Sequence, residues 1–306
     1  MTRRVLLVTH PRRQDALDVV RAVSARFADA GVQVCLPRAD ASSFGPVDLA
    51  PIVIVDDPHA ARGCELVCVV GGDGSILRGA EVARGSGAPL IGINLGKIGF
   101  LAEVELDGLT ATVDRLVQQD YTVEERMTLD VTVSHERRVD NRSWALNEVS
   151  IEKAARERML EVTVEVDGRP LSTWGCDGVI CATPTGSTAY AFSAGGPVVW
   201  PNVEAILLVP NSAHALFARP LVVGPTTRLA VEVIRDTEGR GIMWCDGRRQ
   251  VDLQPGARID VRRSDTPVRL ARMSSSPFTD RLVEKFDLSV AGWRGNGSTR
   301  GSASRT

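Results

Sequence analysis

The segment spanning residues 66–78 constrains the fold more than any other part of the chain. Its first five residues, Leu66–Val70, are all apolar, which is typical of a strand buried on both faces of a parallel sheet. Three glycines then surround Asp73, and apolar residues such as Ile76 and Ala80 recur at helical spacing. The pattern therefore predicts a buried strand, a tight glycine turn and a helix in immediate succession.

Such a turn suits phosphate binding. Glycines let the backbone approach a ligand closely, and the first N–H groups of the following helix lack intrahelical acceptors. The alternative is an ordinary strand-to-helix turn in which Asp73 caps the helix. No Gly-Lys-Ser/Thr follows, as it would in a P-loop, and Leu77 stands where the dinucleotide-binding fingerprint has its third glycine. Taken alone, the turn leaves both interpretations open.

A second glycine-bearing turn follows the next apolar run. Residues 90–94 have a strand pattern, and Gly96, Gly99 and Phe100 come soon after. In open α/β sheets, ligands bind at the carboxyl edge, where turns of this kind lie. A glycine-rich connection without a ligand is the alternative, but two such turns after successive strands favour a binding site.

Strand and helix patterns alternate in the first part of the chain. The clearest of them lie at residues 5–8, 13–28, 32–36 and 109–119. Residues 40–63 are less regular, apart from a short strand pattern at 52–55, and form a candidate mobile loop. We therefore predict an α/β domain with an open, mostly parallel sheet over residues 1–124.

The period of the apolar pattern changes to two near residue 125. Short alternating runs recur as far as residues 268–271, and Asp167-Gly168 and Asp246-Gly247 are hairpin-turn signals. A short helical pattern follows, and the end of the chain is rich in Gly, Ser and Arg. These features predict a mostly β domain at 125–275, a C-terminal segment at 276–295 and a disordered tail at 296–306.

Two polar segments interrupt the β-rich part. Asn147 and Glu148 lie between apolar residues, so they form either a structural network or contacts to a polar ligand. Residues 183–193 carry six hydroxyl side chains around Gly186. Hydroxyls at this density suit sugar or phosphate groups, and Tyr190 is able to stack on a flat base. A plain Ser/Thr-rich linker is the alternative, but it explains neither the tyrosine nor the strand pattern before it.

Composition and charge argue against several classes of protein. A net charge of −2 is unlike that of nucleic-acid-binding proteins, which carry a basic surplus. No apolar run reaches the ~18 residues that span a membrane, and no secretory signal precedes the first strand pattern, so we expect a cytoplasmic protein without membrane contact. The six cysteines lack Cys-x-x-Cys spacing and the four histidines are isolated, which predicts reduced core thiols rather than a metal site.

Taken together, the motifs closely resemble those of the NAD kinase family in its actinobacterial form. They are Gly71-Gly72-Asp73-Gly74, Asn94 with Gly96-x-x-Gly99-Phe100-Leu101, Asn147-Glu148 and Thr183-Pro184-Thr185-Gly186-Ser187-Thr188-Ala189-Tyr190. The first also occurs in lipid kinases and phosphofructokinases, whereas the last is far more specific. The resemblance covers residues 1–295 and implies an α/β domain, a sandwich-like β domain, a site between them and a final segment that returns to the first domain.

The resemblance also implies a reaction. The terminal phosphoryl group of ATP, or of inorganic polyphosphate, passes to the 2′-hydroxyl of the adenosine ribose of NAD. Asp73 is expected to accept the hydroxyl proton, its alternative role being to hold Mg²⁺. Gly72 and Gly74 are expected to bring backbone N–H groups to the phosphates. Arg78 is expected to pair with the phosphates, the alternative being a solvated surface side chain.

The same resemblance assigns a nucleotide pocket. Its expected members are Phe100, Asn147, Glu148, Asp177, Thr188, Ala189, Tyr190 and Ser193. Arg158 lies where the family has a basic or polar contact, and Arg156 is the alternative residue for that position. Residues 40–63 match the family poorly, so no contact is assigned to them.

The expected cofactor is Mg²⁺ or another divalent cation, and the expected assembly is a homodimer or homotetramer. Two other functions remain open: a non-catalytic regulator that binds NAD(H) or NADP(H), and a kinase that acts on a lipid or sugar. An NAD-dependent oxidoreductase is disfavoured, because the chain lacks the glycine fingerprint and a convincing proton-relay residue.

Overall fold

The computed structural model describes residues 2–9, 15–45, 51–56, 59–95, 99–103, 108–155, 158–236, 239–273 and 277–290. The elements of the first part are β1 (Arg4–Thr9), α1 (Asp15–Asp29), β2 (Gln33–Pro37), α2 (Arg38–Ser43), β3 (Val53–Val55), β4 (Leu66–Val70), α3 (Asp73–Ala83), β5 (Leu90–Ile93), α4 (Leu109–Val117) and β6 (Thr122–Arg126).

The second part is mostly β-strand. Its elements are β7 (Leu129–His135), β8 (Arg138–Ala145), β9 (Glu148–Lys153), β10 (Leu160–Val166), β11 (Arg169–Cys176), β12 (Gly178–Ala182), a 3₁₀ turn (Thr185–Thr188), α5 (Tyr190–Ser193), β13 (Ile206–Asn211), β14 (Leu221–Val223), β15 (Leu229–Val233), β16 (Gly241–Cys245), β17 (Arg249–Leu253), β18 (Arg258–Arg263), β19 (Val268–Arg272) and α6 (Phe278–Phe286).

The first sheet has seven strands in the order β3-β2-β1-β4-β5-β19-β6. All its pairs are parallel except that of β19 with β6. β4 is buried at all five positions, as its continuous apolar run predicts, because α1 and α4 cover one face of the sheet and α3 covers the other. The predicted α/β class with an open, mostly parallel sheet is confirmed.

One predicted strand lies in a different sheet from the one expected. Alternation at residues 268–271 placed this strand in the β-rich part, but β19 pairs with β5 and β6 in the first sheet. Alternating polarity shows that a segment is half-buried without showing which strand it pairs with. The boundaries at residues 124 and 275 stay predictions.

Two six-stranded antiparallel sheets form the β-rich part, with strand orders β11-β10-β15-β18-β7-β8 and β14-β13-β12-β9-β16-β17. Their inward side chains form one core that includes the fully buried Trp174 and Met243. The two predicted hairpins are confirmed, since Asp167-Gly168 joins β10 to β11 and Asp246-Gly247 joins β16 to β17. The residues of both turns have positive φ, from 50° to 74°, which Asp and Gly tolerate.

The described parts of residues 40–63 include a helix that was not predicted and the short strand that was. α2 enters this segment and carries the fully buried Asp40, and β3 extends the edge of the first sheet. The segment's mobility stays a prediction, and the tail at 296–306 lies outside the described residues. Among the described helices, none is both long enough and apolar enough to cross a lipid bilayer.

Candidate active site

Asp73 is the first residue of α3, and its carboxylate is held by the neighbouring glycine turn. The N–H of Phe100 donates to Oδ2 at 3.0 Å and the N–H of Leu101 donates to Oδ1 at 3.1 Å. Both donors belong to the segment that follows β5, the strand beside β4. The two glycine-bearing turns therefore meet at the carboxyl edge of the sheet, and Asp73 is half-buried between them.

Two glycines make this arrangement possible. Gly71 has φ 148°, a conformation that L side chains rarely adopt, where the chain leaves β4. A Cβ on Gly99 would lie 2.1 Å from Oδ1 of Asp73, so any other residue there displaces the carboxylate or the loop. By contrast, a Cβ on Gly72 or Gly74 meets nothing within 4 Å, which leaves space in front of the turn.

Arg78 has a different partner from the phosphate group that was expected. Its guanidinium pairs with both oxygens of Asp40 and donates to the carbonyl of Thr9 at 2.7 Å. The N–H of Thr9 also donates to Asp40, at 2.7 Å. Arg78 is 20% exposed and Asp40 is fully buried, so the alternative of a solvated surface arginine is wrong. The pair fixes α2 to the end of β1 and to α3, and the phosphate contact stays a prediction.

Phe100 lies in an aromatic cluster. Its ring centroid is 5.9 Å from that of Phe278 and 5.7 Å from that of Phe286, both on α6. Phe286 also packs on Phe192 at 4.7 Å, and Phe278 on Trp200 at 5.4 Å. The C-terminal helix thus contacts the loop beside Asp73 and the hydroxyl-rich segment together.

The chain crosses from one antiparallel sheet to the other between β8 and β9, where Asn147 precedes β9 and Glu148 is the first residue of β9. Asp246 holds this crossover, because its carboxylate accepts the N–H of Leu146 at 3.0 Å and the N–H of Asn147 at 2.7 Å. Arg249 neutralises Asp246 through a contact of 2.7 Å. The backbone of the pair is therefore fixed before any ligand arrives.

The side chains of this pair are buried without complete hydrogen bonding. Asn147 is 8% and Glu148 is 7% exposed, and neither Oδ1 of Asn147 nor Oε2 of Glu148 has a hydrogen-bond partner among the described residues. Burial, with a smaller contribution from the nearby charge of Asp246, raises the pKa of Glu148 to about 8. Buried polar atoms are nearly always paired in proteins, so these two oxygens are candidates for contact with a polar ligand.

The hydroxyl-rich segment folds as a 3₁₀ turn and the short helix α5, rather than as an open loop. Its first hydroxyls stabilise the backbone: Thr183 donates to the carbonyl of Leu146 at 2.6 Å, and Ser187 donates to that of Pro184 at 2.7 Å. A Cβ on Gly186 would lie 2.0 Å from the carbonyl oxygen of Asn147. The segment is therefore packed directly against the Asn147–Glu148 crossover.

The remaining predicted pocket residues are at or near the surface of this segment. Thr188, Ala189 and Tyr190 are partly buried and Ser193 is exposed, with the Tyr190 hydroxyl accepting from Nδ2 of Asn211 at 3.1 Å. Burial raises the pKa of Tyr190.

Asp177 and Arg158 differ in their surroundings. Asp177 pairs with Nζ of Lys153 at 2.6 Å, and this contact lowers the pKa of Asp177. Arg158 is exposed beyond the end of β9, and Arg156 lies outside the described residues.

The two halves of the predicted site are neighbours. Ile76, one turn after Asp73, shares a buried apolar cluster with Leu101 and with Leu146, which precedes Asn147. Arg126 of β6 donates to the Thr185 hydroxyl at 3.4 Å. The structure thus brings the Gly-Gly-Asp-Gly turn, the loop at 99–103 and the Asn147–Glu148 crossover to one region.

The sequence did not predict several residues that hold the site together. Asp246 looked like a hairpin residue only, although it anchors a backbone 99–100 residues away. Glu103 is buried between Arg272 and Arg281, which lie 169 and 178 residues further along the chain. Partners so distant leave no local signal in one sequence.

Comparison with known proteins identifies the family. Family models described as the ATP-NAD kinase N-terminal domain and the ATP-NAD kinase C-terminal domain match residues 5–121 and 146–273. The chain is similar to the NAD kinase of Thermobifida fusca (strain YX), 55% identical over 98% of this chain and 94% of that protein. It is 52% identical to the NAD kinase of Mycobacterium tuberculosis (strain CDC 1551 / Oshkosh) over 96% and 98% of the two chains.

Two solved structures have the same fold. A yeast NADH kinase complexed with NADH superposes with a TM-score of 0.83 at 21% identity, covering 94% of this chain and 88% of that one. An NAD kinase from Archaeoglobus fulgidus in complex with ATP gives 0.72 at 25% identity, covering 94% and 100%. Both family models and the near full-length relatives lead to one conclusion: this chain belongs to the ATP-NAD kinase family.

Proposed function

We propose that this protein transfers the terminal phosphoryl group of ATP to the 2′-hydroxyl of the adenosine ribose of NAD, giving NADP and ADP. The observation that carries the proposal is the pair of unpartnered buried oxygens on Asn147 and Glu148 beside the Gly-Gly-Asp-Gly turn. A ribose has hydroxyl donors for such acceptors, and an adenine amino group is a further donor. Relatives named NAD kinase at 50–55% identity support this substrate over a lipid or a sugar.

Asp73 accepts the proton of the attacking hydroxyl in this proposal. The ribose oxygen forms a bond to the γ-phosphorus while the bond between that phosphorus and the β–γ bridging oxygen breaks, and the electron pair leaves with ADP. Two amide donors orient the Asp73 carboxylate, and a carboxylate has about four lone-pair sites, so acceptor capacity remains for the hydroxyl. Positioned proton transfer of this kind typically contributes about 10²- to 10⁴-fold.

The phosphates lie against the start of α3. The backbone at Gly72 and Gly74 faces open space, and the first N–H groups of an 11-residue helix favour an anion there. Arg78 is committed to Asp40, so we assign it to holding the phosphate turn, with a direct phosphate contact only if the pair opens.

The dinucleotide occupies the other half of the site. Asn147 and Glu148 hold the ribose or adenine, while Thr188, Ala189, Tyr190 and Ser193 line the same side. We assign Asp177 and Arg158 to the same pocket from the family's pattern, with Asp177 at the end of β12 opposite to Ala182, which pairs with Glu148. Phe100 closes the pocket beside Asp73. The partial exposure of Tyr190 leaves its ring able to stack on a base.

A divalent cation fits this chemistry as part of the nucleotide complex. Among the described residues, no three His, Cys, Asp or Glu side chains come together as a metal site. Mg²⁺ is commonly held by one or two carboxylates together with substrate phosphates, and Asp73 is the carboxylate at the phosphate turn. The cation supplies charge neutralisation on the phosphoryl oxygens.

We also propose that the chain assembles as a homodimer or homotetramer and acts in the cytoplasm. Leu216 is fully exposed and Phe217 is 49% exposed, which suits a contact between copies. All six cysteines are free and buried, which suits a reducing compartment. Light scattering on a size-exclusion column gives the subunit number, and cell fractionation gives the location.

The test of the proposed function is NADP formation with ATP and inorganic polyphosphate in parallel assays, each with NAD and Mg²⁺, with EDTA as the control. We expect NADP with ATP, and none when EDTA is present. Tight NAD binding by calorimetry with no NADP from either donor would instead identify a non-catalytic regulator. Phosphorylation of a lipid or sugar, with NAD unchanged, would identify a different kinase.

A further inference from the structure

Arg281 on α6 contacts the loop that holds Asp73. Its Nη1 donates to the carbonyl of Phe100 at 3.2 Å and to that of Ala102 at 2.9 Å. The N–H groups of Phe100 and Leu101 in the same loop are the two donors to the Asp73 carboxylate. The carbonyls of this loop therefore accept from Arg281, while its N–H groups donate to Asp73.

Glu103 gives this contact its rigidity. Its side chain is 1% exposed and accepts from Arg281 at 2.6 Å, from Arg272 at 2.7 Å and from the N–H of Met273 at 3.1 Å. The N–H of Glu103 donates to the carbonyl of Gly92 in β5 at 2.9 Å. The loop is thus attached to the sheet at its far end and to α6 along its length.

The guanidinium group of Arg281 is held in one orientation by its contacts with Glu103 and with the loop carbonyls. The side chain of Arg281 is 14% exposed, and its planar fork reaches a carboxylate and two carbonyls at once. A lysine has a single charged nitrogen and does not reproduce that geometry. Phe278 and Phe286 on the same helix pack against Phe100, which holds the loop from the apolar side.

We infer that Arg281 is a positioning residue for the phosphoryl transfer. It fixes the carbonyl of Phe100, which shares a peptide plane with the N–H of Leu101, and the carbonyl of Ala102, and so it holds the loop whose N–H groups at Phe100 and Leu101 donate to Asp73. The C-terminal helix α6 then contributes to the orientation of Asp73, in addition to the packing contacts that it makes with both halves of the site. The inference rests on the proposed role of Asp73. It goes beyond that role because Arg281 acts on the chemical step without touching a substrate.

The test compares Arg281→Lys, Arg281→Met and the exposed hairpin control Arg169→Met. In Arg281→Met we expect kcat to fall by about 10- to 100-fold, since small misplacements of a catalytic group have effects of this size, while the KM for NAD changes by less than about 3-fold. Arg281→Lys keeps Glu103 paired and the fold intact, yet we expect it to lose most of the same activity because its fork is absent. Arg169→Met should match the wild type.

A double-mutant cycle separates positioning from a general loss of structure. In an Asp73→Asn background, Arg281→Met should lower the residual kcat by less than about 3-fold, because coupled residues are non-additive. The same fold-loss in both backgrounds, or a normal kcat in Arg281→Lys and Arg281→Met, would overturn the inference. Full activity in Asp73→Asn would overturn both the role of Asp73 and that of Arg281.

Hydrogen exchange tests the contact without any turnover. We expect the amides of Phe100 and Leu101 to exchange at least about 10-fold faster in Arg281→Met, whereas the amides of β12 keep their wild-type rates. Unchanged exchange at residues 100–101 would show that Arg281 does not hold the loop, whatever the activity. A wild-type protein that makes no NADP would end the proposed function while leaving this measurement valid.

Discussion

The two halves of the site differ in how their polar groups are paired. On the phosphate side, Asp73 accepts two amide hydrogen bonds and Arg78 is paired with Asp40. On the dinucleotide side, the backbone of Asn147 is anchored by Asp246, but side-chain oxygens of Asn147 and Glu148 remain buried without partners. The carboxylates of the phosphate side are hydrogen-bonded within the protein, whereas two buried oxygens of the dinucleotide side have no partner in the part of the chain that the structure describes.

This difference separates two ways of building an active site. A group that must be aimed during the reaction is fixed by the protein, so that little reorganisation accompanies the chemical step. A group that must recognise a substrate keeps unpaired atoms, whose burial disfavours the free state and favours the complex. Substitutions on the first side should therefore change kcat or the fold, and substitutions on the second should change affinity.

The largest expected effect is that of Asp73→Asn. The amide keeps the size of the carboxylate but is a poor proton acceptor, so we expect kcat to fall by about 10²- to 10⁴-fold. NAD affinity measured by calorimetry should stay within about 3-fold, because the dinucleotide is held by the other half. A loss of NAD affinity as large as the loss of kcat would show that the two halves of the site do not have separate roles.

Arg78→Met tests whether this arginine is structural. The substitution leaves the charge of the buried Asp40 without its ion-pair partner, so we expect the free energy of unfolding to fall by about 3–5 kcal/mol in chemical denaturation. Arg38→Met breaks the exposed pair with Asp56 and should change it by at most about 1 kcal/mol. A stable Arg78→Met variant with a sharply raised KM for ATP would instead support the direct phosphate contact.

Gly186→Ala tests the packing behind the dinucleotide half. The new Cβ would lie 2.0 Å from the carbonyl oxygen of Asn147, which must move. Overpacking of this kind costs up to about 3 kcal/mol, and we expect NAD affinity to fall along with the melting temperature. Gly224→Ala is the matched control, since a Cβ there meets nothing within 4 Å. Equal behaviour of the two variants would contradict the close approach.

Glu148→Gln tests the unpaired carboxyl through pH. Burial, with a smaller contribution from the nearby charge of Asp246, raises the pKa of Glu148 from its usual 4.5 to about 8, so between these values the native state binds up to one proton more than the unfolded chain. Stability without ligand should therefore fall as the pH rises, by about 2 kcal/mol between pH 6 and 8. The variant should lose this part of the slope in denaturation curves measured at both pH values, and an unchanged slope would show that Glu148 is solvated.

Strands and turns were predictable from the sequence where a few consecutive residues determine them. The buried strand β4, the glycine turn at Asp73 and the hairpins at Asp167 and Asp246 all follow from runs of a few residues. The hydroxyl-rich motif likewise indicated its neighbourhood, although its helical shape was missed because small hydroxyl residues also favour loops.

Long-range pairing was not predictable. Arg78 pairs with a carboxylate 38 residues away, Glu103 with an arginine 178 residues away, and Asp246 accepts from a backbone N–H 100 residues away. Nothing in the local sequence pattern distinguishes these buried contacts from surface charges. The same limit explains why β19 was assigned to the wrong sheet: alternation fixes which side of a strand is apolar, but pairing depends on the packing of the whole chain.

The position of β19 also affects the order in which the protein folds during its synthesis. In the first sheet, β19 lies between β5 and β6, and β6 is the strand at the end of the sheet. At about 5–20 residues per second, the ribosome needs roughly 7–30 s to pass from the end of β6 at residue 126 to the start of β19 at residue 268. Throughout that interval the edge of β5 is an open template for another nascent chain. A nascent chain whose synthesis stops before β19 at residue 268 should therefore need a chaperone to avoid aggregation. A chain released after β19 has been made should not.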